Sequence, residues 1–326
     1  MKTLYFISSP FQYLSAVERL NKYPKENAYF IVLLGDKNKK PNSFNQLSAV
    51  VESNCKVEKE ERLISYSSYL ELELKLIKVY IRLRLISFEK VCLGDFRDLY
   101  GHLLIRGLRV KQAVLLDDGA ATIIILNRYL ALGVNYPEYS SKVDKIRNLI
   151  YQVLGMNKKF QFDWQVSSIF NLQKIKKRTK VIEKFPIKKE KVYFFGSKYS
   201  EANILSVDVE LFLLKKVKEF YASKELFYIP HRGDSLNKLN NLTLLGYIVK
   251  DLKQPAELYF ANSIEPLPDI ISGFWTTAIY SLSRDYEFSS VDSFDITRFV
   301  DTLTIKDNAI SVYNYFQSVG INVRVI

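Results

Sequence analysis

The chain has 326 residues, of which 48% are hydrophobic and 25% are charged, and its formal net charge is +12. This composition argues against a disordered or membrane-spanning chain, and the length is enough for two domains of ordinary size. The positive charge favours an anionic partner, but no RNP, zinc-finger or helix-turn-helix motif accompanies it, so no nucleic-acid partner is predicted.

The N-terminal residues, MKTLYFISSP, resemble the start of a signal peptide because an apolar run follows Lys2. Ser8, Ser9 and Pro10 interrupt that run after a few residues, which is short for the hydrophobic region of a signal peptide. No stretch reaches the ~20 continuous apolar residues that span a bilayer. The sequence therefore predicts a cytoplasmic protein. Cys55 and Cys92 do not form a CxxC pair, so we expect both to be reduced and structural, with no zinc cluster.

Strands and helices alternate along the first half of the chain. The segments predicted as strands are TLYFIS (3–8), AYFIVLLG (28–35), KVCLGD (90–95) and QAVLLDDG (112–119). The segments predicted as helices are LSAVERLNKY (14–23), the amphipathic YLELELKLIKVYIRLRLI (69–86) and DLYGHLLIRGL (98–108). Strands with near-continuous apolar side chains are typical of a parallel sheet that is covered on both faces. We predict a Rossmann-like N-terminal domain over residues 1–172.

A basic segment over residues 173–191 follows this domain and is predicted to be a linker. Half of the residues from Lys174 to Lys191 are Lys or Arg, and the segment contains Pro186 and has little apolar periodicity. One interpretation is a solvated connector. The other is contact with an anionic membrane surface, where each basic residue contributes roughly 1 kcal/mol of binding free energy.

The alternation of strands and helices resumes over residues 192–326, which we predict to be a second Rossmann-like domain. The strand VYFFGS (192–197), the helix DVELFLLKKVKEFY (208–221) and the strand ELFYIPHRGD (225–234) open it. A helix is predicted at the end of IEPLPDIISGFWTTAIYSL (264–282), and EFSSVDS (287–293) is a further strand candidate. The predicted fold is α/β with two Rossmann-like domains facing each other across a cleft. Packing of the last helix on the N-terminal domain is one option.

Several candidate functional residues follow predicted strands, and the loops at the carboxyl ends of parallel strands are where ligands bind. They are Asp117, Asp118 and Gly119, then Gly196 and Ser197, and then His231 with Arg232. For each of these residues, a purely structural role is the alternative to a role in ligand binding or catalysis. The two carboxylates can cap the next helix, and a lone histidine is commonly structural, as we expect for His102 in a predicted helix. Thr276 and Thr277 can cap a helix or hold a phosphate at its start.

The order of these motifs resembles that of the bacterial sialyltransferases and polysialyltransferases. DDG (117–119), PHR (230–232) and SGFWTTAIYSL (272–282) correspond to an acidic motif, a histidine motif and a Ser/Thr-pair motif in that family, and the chain opens with ISSPFQYLSAVE (7–18). The resemblance extends from Ser8 to about Leu282. Three positions depart from the usual pattern: Arg232 replaces the proline after the histidine, and Thr276 and Thr277 replace two serines.

This resemblance implies a GT-B fold and an inverting, metal-independent transfer of a sugar from a CMP-activated donor, with no cofactor. It implies that Asp118 is the catalytic base, with Asp117 as the reserve candidate, and that His231 contacts the donor phosphate. Thr276 and Thr277 would bind the same phosphate, Glu265 would bind the ribose, and Gly196, Ser197 and Arg232 would approach the nucleotide. The N-terminal domain would bind a glycan acceptor and the C-terminal domain the donor.

Two other functions remain open at this stage. The first is a metal-dependent glycosyltransferase that uses a nucleotide-diphosphate sugar, although DDG lacks the spacer residue of a DxD metal motif. The second is a basic peripheral membrane protein without catalytic activity. The leading prediction is a sialyltransferase-like enzyme that acts on lipooligosaccharide or capsule at the inner face of the bacterial inner membrane.

Overall fold

The computed structural model describes residues 2–54, 60–133, 145–156, 163–167 and 190–326. The chain divides into two compact units: Met1–Asp118 with Ile125–Lys174, and Gly119–Ile124 with Ile175–Ile326. Residues 173–189 of the predicted basic linker lie outside the described residues, as does Cys55, and so the predicted membrane contact through 174–191 stays a prediction. Among the described residues, no helix is both long and apolar enough to cross a bilayer.

The first unit contains a parallel sheet of six strands. The strands are β1 (Lys2–Ile7), β2 (Asn27–Gly35), β3 (Glu60–Ser65), β4 (Lys90–Leu93), β5 (Gln112–Leu116) and β6 (Asp163–Ser167). The helices are α1 (Pro10–Lys22), α2 (Pro41–Ser53), α3 (Tyr69–Leu83), α4 (Leu99–Leu108), α5 (Ala120–Arg128) and α6 (Lys145–Val153). The start of α5 is grouped with the second unit. The strand order is β3-β2-β1-β4-β5-β6.

Local sequence explains where the main helices of this unit begin. The Ser9 side chain accepts a hydrogen bond from the Gln12 N–H, and Pro10 occupies the first turn, where its missing N–H has no intrahelical partner to lose. Ser68 caps α3 and Asp98 caps α4 in the same way. The central strands β1, β4 and β5 are buried almost throughout because helices cover both faces of the sheet.

The second unit contains another parallel sheet of six strands. The strands are β7 (Lys191–Phe195), β8 (Glu225–Ile229), β9 (Ile248–Val249), β10 (Ile270–Gly273), β11 (Ser290–Asp295) and β12 (Asn322–Val325). The helices are α7 (Val207–Phe220), α8 (Leu236–Leu244), α9 (Ala256–Asn262), α10 (Thr277–Asp285) and α11 (Leu303–Ser318). The last helix, α11, is grouped with this unit, and its Tyr313 hydroxyl donates to the Phe294 carbonyl oxygen over 2.7 Å.

The two sheets have the same topology. The second sheet has the order β12-β11-β10-β7-β8-β9, which becomes 6-5-4-1-2-3 when its strands are counted from β7, the order of the first sheet read backwards. In such a sheet the order of the strands reverses between the first and fourth strands, and the crevice at their carboxyl ends is the usual ligand site. The predicted α/β fold class with two Rossmann-like units is confirmed. These crevices lie between β1 and β4 in the first unit and between β7 and β10 in the second.

Candidate functional site

In the first unit, polar side chains collect at the carboxyl ends of the neighbouring strands β1, β4 and β5. Asp95 follows β4, and Asp117 and Asp118 follow β5. The Arg97 guanidinium binds the Asp95 carboxylate with Nε and Nη2 at 3.1 and 3.3 Å. Three carboxylates and one guanidinium therefore share this edge of the sheet, at the reversal point of the strand order.

Gln12, in the first turn of α1, links this edge to β1. Its side-chain oxygen accepts a hydrogen bond from the Ser8 N–H at 2.9 Å, and its Nε2 donates to Asp118 Oδ1 at 3.0 Å. Gln12 is buried, and a side chain at Gly94, the residue after β4, would collide with it. The amide of Gln12 is thus fixed in orientation and presents a donor to the Asp118 carboxylate.

Asp117 and Asp118 differ in exposure. Asp117 is fully buried, and its backbone N–H donates to the Ser15 hydroxyl at 3.0 Å. Asp118 is partly exposed. Successive residues of an extended chain point in opposite directions, so the two adjacent carboxylates have different surroundings.

The pKa of Asp118 is raised from 3.8 to about 7. Desolvation is the largest cause, and the nearby charge of Asp95 adds to it, whereas the hydrogen bond from Gln12 and the charge of Arg97 act in the opposite direction. A carboxylate with a pKa near 7 is able to accept a proton at neutral pH and to release it afterwards.

Gln12, Asp95 and Arg97 were not among the residues singled out from the sequence. Asp95 meets the same criterion as Asp117, because it follows a predicted strand in KVCLGD. Gln12 lies within ISSPFQYLSAVE, the segment that contributes to the family resemblance. Nothing local marks Gln12 as a partner of a residue that lies 106 positions further along the chain.

The histidine site of the second unit lies in the loop after β8. Gly233 N–H donates to His231 Nδ1 at 3.0 Å, so the neutral imidazole carries its proton on Nε2. The pKa of His231 is lowered to about 4, chiefly by burial and in addition by the positive charges of Arg232 and Lys198. His231 is therefore neutral at pH 7 and offers an Nε2–H donor in a cationic environment.

A buried charge network holds the loops after β7 and β8 together. The Lys238 ammonium donates to Asp234 Oδ1 at 3.0 Å and to the Ser197 carbonyl oxygen at 2.7 Å, and it also pairs with Glu210. Asp234 in turn accepts from the His231 N–H at 2.9 Å. All three charged side chains are at most 4% exposed. The network fixes the backbone at both Ser197 and His231, and nothing in the sequence pattern had indicated it.

Gly196 lies directly after β7 and is closely packed. Its N–H donates to the Ile229 carbonyl oxygen at 2.9 Å, and a Cβ at this position would collide with Tyr228 and approach Asp234 Oδ2 to 2.9 Å. Glycine is therefore needed here so that the β7 and β8 loops can approach each other. The predicted nucleotide-contacting residues Gly196 and Ser197 thus share one loop cluster with His231 and Arg232.

Thr276 and Thr277 lie at the start of α10, after β10. Thr276 is the N-cap residue, but its side chain makes no capping hydrogen bond to the helix. Thr277 Oγ1 accepts a hydrogen bond from the Ala120 N–H at 3.1 Å, and Ala120 belongs to the same unit. Gly119 has a φ of +66°, and a side chain there would collide with Thr277. The glycine of the acidic motif thus provides both a left-handed turn and a close approach to Thr277.

Glu265 lies in the connection that leads from α9 to the amino end of β10, not at a carboxyl end. Its carboxylate is exposed and accepts hydrogen bonds from Lys250 at 2.7 Å and from the Tyr259 hydroxyl at 3.0 Å. Glu257, in the first turn of α9, accepts from Ser281 Oγ of α10 at 2.6 Å, which links it to the helix that begins at Thr277. Burial raises the pKa of Glu257. The ribose-binding role of Glu265 stays a prediction, and Glu257 is a second candidate.

The remaining titratable candidates are structural. His102 is buried in α4, where its Nε2 lies 2.6 Å from the Phe96 carbonyl oxygen and its ring packs beside Trp164. Cys92 is buried in β4, and burial raises the pKa of its thiol to about 12. Within the described ranges, no cluster of three or more His, Cys, Asp or Glu side chains has the arrangement of a metal site.

No family model matches the sequence, and no curated protein matches it. Similar solved structures include MurG of Acinetobacter baumannii, with a TM-score of 0.43 and 8% identity over 100% of this chain and 86% of that one. A putative UDP-N-acetylglucosamine 2-epimerase from Listeria monocytogenes gives a TM-score of 0.49 and 9% identity over 98% and 88%. The lipopolysaccharide outer core galactosyltransferase WaaB gives 0.45 and 13% over 99% and 92%. Likenesses at this level carry no assignment of activity.

Proposed function

We propose that the protein is an inverting glycosyltransferase that moves a sialic-acid-type (nonulosonic) sugar from a CMP-activated donor to a hydroxyl of a cell-surface glycan. The observation that carries this proposal is the environment of Asp118. It is a partly exposed carboxylate at a strand end, with a pKa of about 7 and a fixed orientation from Gln12. A general base acts best when its pKa lies near the working pH. The order of the acidic, histidine and threonine motifs adds support.

In the proposed reaction, the acceptor hydroxyl transfers its proton to Asp118 while its oxygen attacks the anomeric carbon of the donor sugar. The new bond from carbon to the acceptor oxygen forms as the bond from the same carbon to the CMP phosphate oxygen breaks, so the configuration inverts. CMP leaves with the electron pair of the broken bond, and the proton stays on Asp118 until solvent removes it. The charge that develops on the phosphate is what the donor site has to stabilise.

The second unit offers suitable groups for that phosphate. His231 Nε2–H is a hydrogen-bond donor, and the cations Lys198 and Arg232 contribute to its electrostatic environment. A bound phosphate would favour the protonated imidazole and would therefore raise the pKa of His231. This effect is opposite to that of the nearby cations, which lower it. The Thr276 and Thr277 hydroxyls and the N-terminal dipole of α10 favour an anion at the same edge of the sheet. We therefore assign donor binding to this unit and acceptor binding to the first.

A donor panel tests the proposal. Purified protein is incubated with a lipooligosaccharide or capsule acceptor and with CMP-N-acetylneuraminic acid, other CMP-nonulosonic sugars, UDP-sugars or GDP-sugars, each with and without EDTA. Transfer from a CMP-sugar that survives EDTA is the expected result. Transfer from a UDP- or GDP-sugar that EDTA abolishes would establish the metal-dependent alternative. Failure to bind CMP or any CMP-sugar by calorimetry would favour a non-catalytic peripheral protein.

A further inference from the structure

Helix α3 has two apolar faces, and only one of them is covered. Leu72, Leu76, Tyr80 and Leu83 are buried against the first sheet. Leu70, Leu74 and Ile81 are 62%, 54% and 52% exposed. With ~3.6 residues per turn these three side chains lie within about 40° of one another, on the side opposite the buried face. Leu85, just past the helix end, is 89% exposed and extends the row. We call Leu70, Leu74, Ile81 and Leu85 the outer stripe.

Such a stripe is unusual on the surface of a folded protein. A surface helix normally buries one apolar face and presents polar residues on the other. Single exposed leucines need no explanation, but several exposed apolar side chains along one face of a helix mark a surface that binds something apolar. The helix has 15 residues and is therefore about 22 Å long, which is enough for a substantial contact along its axis.

Basic residues border the outer stripe. Lys78 and Arg82 lie on one side of it and Arg84 on the other, and all three are exposed. Beside Lys78 and Arg82, a recess of about 350 Å³ lies between α3 and β3 and is also lined by Arg62 of the strand. Lys75 lines it too, but this lysine is paired with Glu71 at 2.6 Å. The border of the stripe therefore presents the exposed cations Lys78, Arg82 and Arg84.

We propose that the outer stripe and its basic border form a docking surface for an anionic lipid bilayer. An apolar row flanked by Lys and Arg is the pattern of helices that lie in the membrane interface, with the leucines among the acyl chains and the cations at lipid phosphates. Tyr69 at the start of the helix is 73% exposed, and tyrosine is enriched at the membrane interface. A second copy of this chain is a poorer occupant, because a symmetric contact would bring the basic borders together.

Vesicle binding tests the apolar part of this surface. The parent protein and the double variant Leu74→Gln/Ile81→Gln are sedimented with vesicles of phosphatidylcholine, with and without phosphatidylglycerol, in the absence of any sugar donor. We expect the variant to bind vesicles that contain phosphatidylglycerol at least about ten-fold more weakly, because two side chains no longer bury apolar area. The matched control is Leu236→Gln/Leu244→Gln in the second unit, where the leucines are 79% and 86% exposed and binding should not change.

A second pair of variants tests the basic border. Lys78→Gln/Arg82→Gln should weaken binding to vesicles with phosphatidylglycerol by about five-fold per residue at low salt and should have little effect at high salt. Lys215→Gln/Lys253→Gln replaces two exposed lysines of the second unit and should leave binding unchanged. The positions are exposed in all four variants, so each should unfold at the parent's temperature, and CMP affinity should not change.

Three results would overturn the proposal. The first is unchanged vesicle binding by both the Leu74/Ile81 and the Lys78/Arg82 variants. The second is a concentration-dependent dimer in analytical ultracentrifugation that Leu74→Gln/Ile81→Gln dissociates, because the stripe would then bind a second copy. The third is complete loss of binding when only the lysines of 174–191 are neutralised. None of these measurements depends on the proposed transfer reaction, so the two proposals fail separately.

Discussion

Asp117 and Asp118 are adjacent in the sequence, yet the first is fully buried and the second is partly exposed beside Gln12. If Asp118 is the base, Asp118→Ala should lower transfer by roughly 10²–10⁴-fold while CMP affinity hardly changes. Single-turnover transfer and calorimetric CMP binding measure the two effects. His231→Ala is the matched comparison, and it should weaken both CMP binding and transfer, because in the proposed reaction His231 contacts the leaving phosphate. If Asp118→Ala keeps near-normal transfer and Asp117→Ala loses transfer completely, Asp117 is the base instead of Asp118.

The raised pKa of Asp118 predicts how activity and stability depend on pH. In the proposed reaction the unprotonated Asp118 carboxylate is the active form, so kcat/KM should rise with pH through a midpoint near 7. Since the folded protein binds this proton more tightly than the unfolded chain, the stabilisation is complete below pH 4 and is lost as the pH rises towards 7. Asp118→Asn should therefore be more stable than the parent in urea at pH 8, by about 1 kcal/mol or more, and no more stable at pH 4. If Asp118→Asn and the parent were equally stable at pH 8 as well as at pH 4, the raised pKa of Asp118 would be refuted.

Gln12 is a positioning residue in this scheme, because it donates a hydrogen bond that favours the charged form of Asp118. Gln12→Leu should raise the pKa of Asp118 further, so the midpoint of the kcat/KM profile should move to higher pH. Ser15→Ala is the control, since Ser15 accepts from the Asp117 N–H and does not contact the Asp118 carboxylate by any described hydrogen bond. A lower maximal rate with an unmoved midpoint would mean that Gln12 serves packing alone.

At the scale of elements, the loops that follow β7 and β8 depend on one buried ammonium. Lys238→Met would leave the carboxylates of Glu210 and Asp234 buried without their cation, which should lower the free energy of unfolding by about 3–5 kcal/mol. It should also weaken CMP binding, because Ser197 and His231 lie in the loops that Lys238 holds. Urea unfolding and calorimetry measure these effects.

Lys216→Met provides the matched control for this network. Lys216 and Glu219 form an exposed pair in α7, with side chains 46% and 52% exposed, and such pairs contribute at most about 1 kcal/mol. The control should leave CMP binding unchanged. If Lys238→Met costs no more than Lys216→Met, the network is not a structural requirement of the loops.

At the scale of the whole molecule, we expect nucleotide binding to increase the stability of the second unit. A ligand at 100 times its dissociation constant adds about 2.7 kcal/mol to the stability of the unit that binds it. We therefore expect CMP to raise the unfolding temperature, and uridine or guanosine nucleotides to raise it less. Scanning calorimetry measures these shifts. EDTA should not change the shift. Stabilisation by UDP that requires a divalent ion would point to the metal-dependent alternative.

The sequence alone indicated the fold class and the edge of each sheet where function should be sought. Strand segments with continuous apolar residues require a sheet covered on both faces, and residues that follow such strands must lie at its carboxyl edge. The positions of Asp118, Gly196 and His231 after strands followed from that rule. Thr276 was expected only at the start of a helix, and the strand β10 that precedes it was not predicted. The edge strand β3 escaped prediction because it is largely exposed and carries charged residues, so its local pattern resembles a loop.

Tertiary structure alone decided which polar groups meet. Gln12 and Asp118 are 106 residues apart, and they pair because β1 and β5 flank β4 in the sheet. Lys238 reads as an ordinary surface lysine of an amphipathic helix until Glu210 and Asp234 are seen to surround it. The sequence did not identify the outer stripe of α3 for a different reason. Periodicity shows that a helix has apolar side chains at two angles, but only packing against the sheet decides which face is covered and which is left exposed.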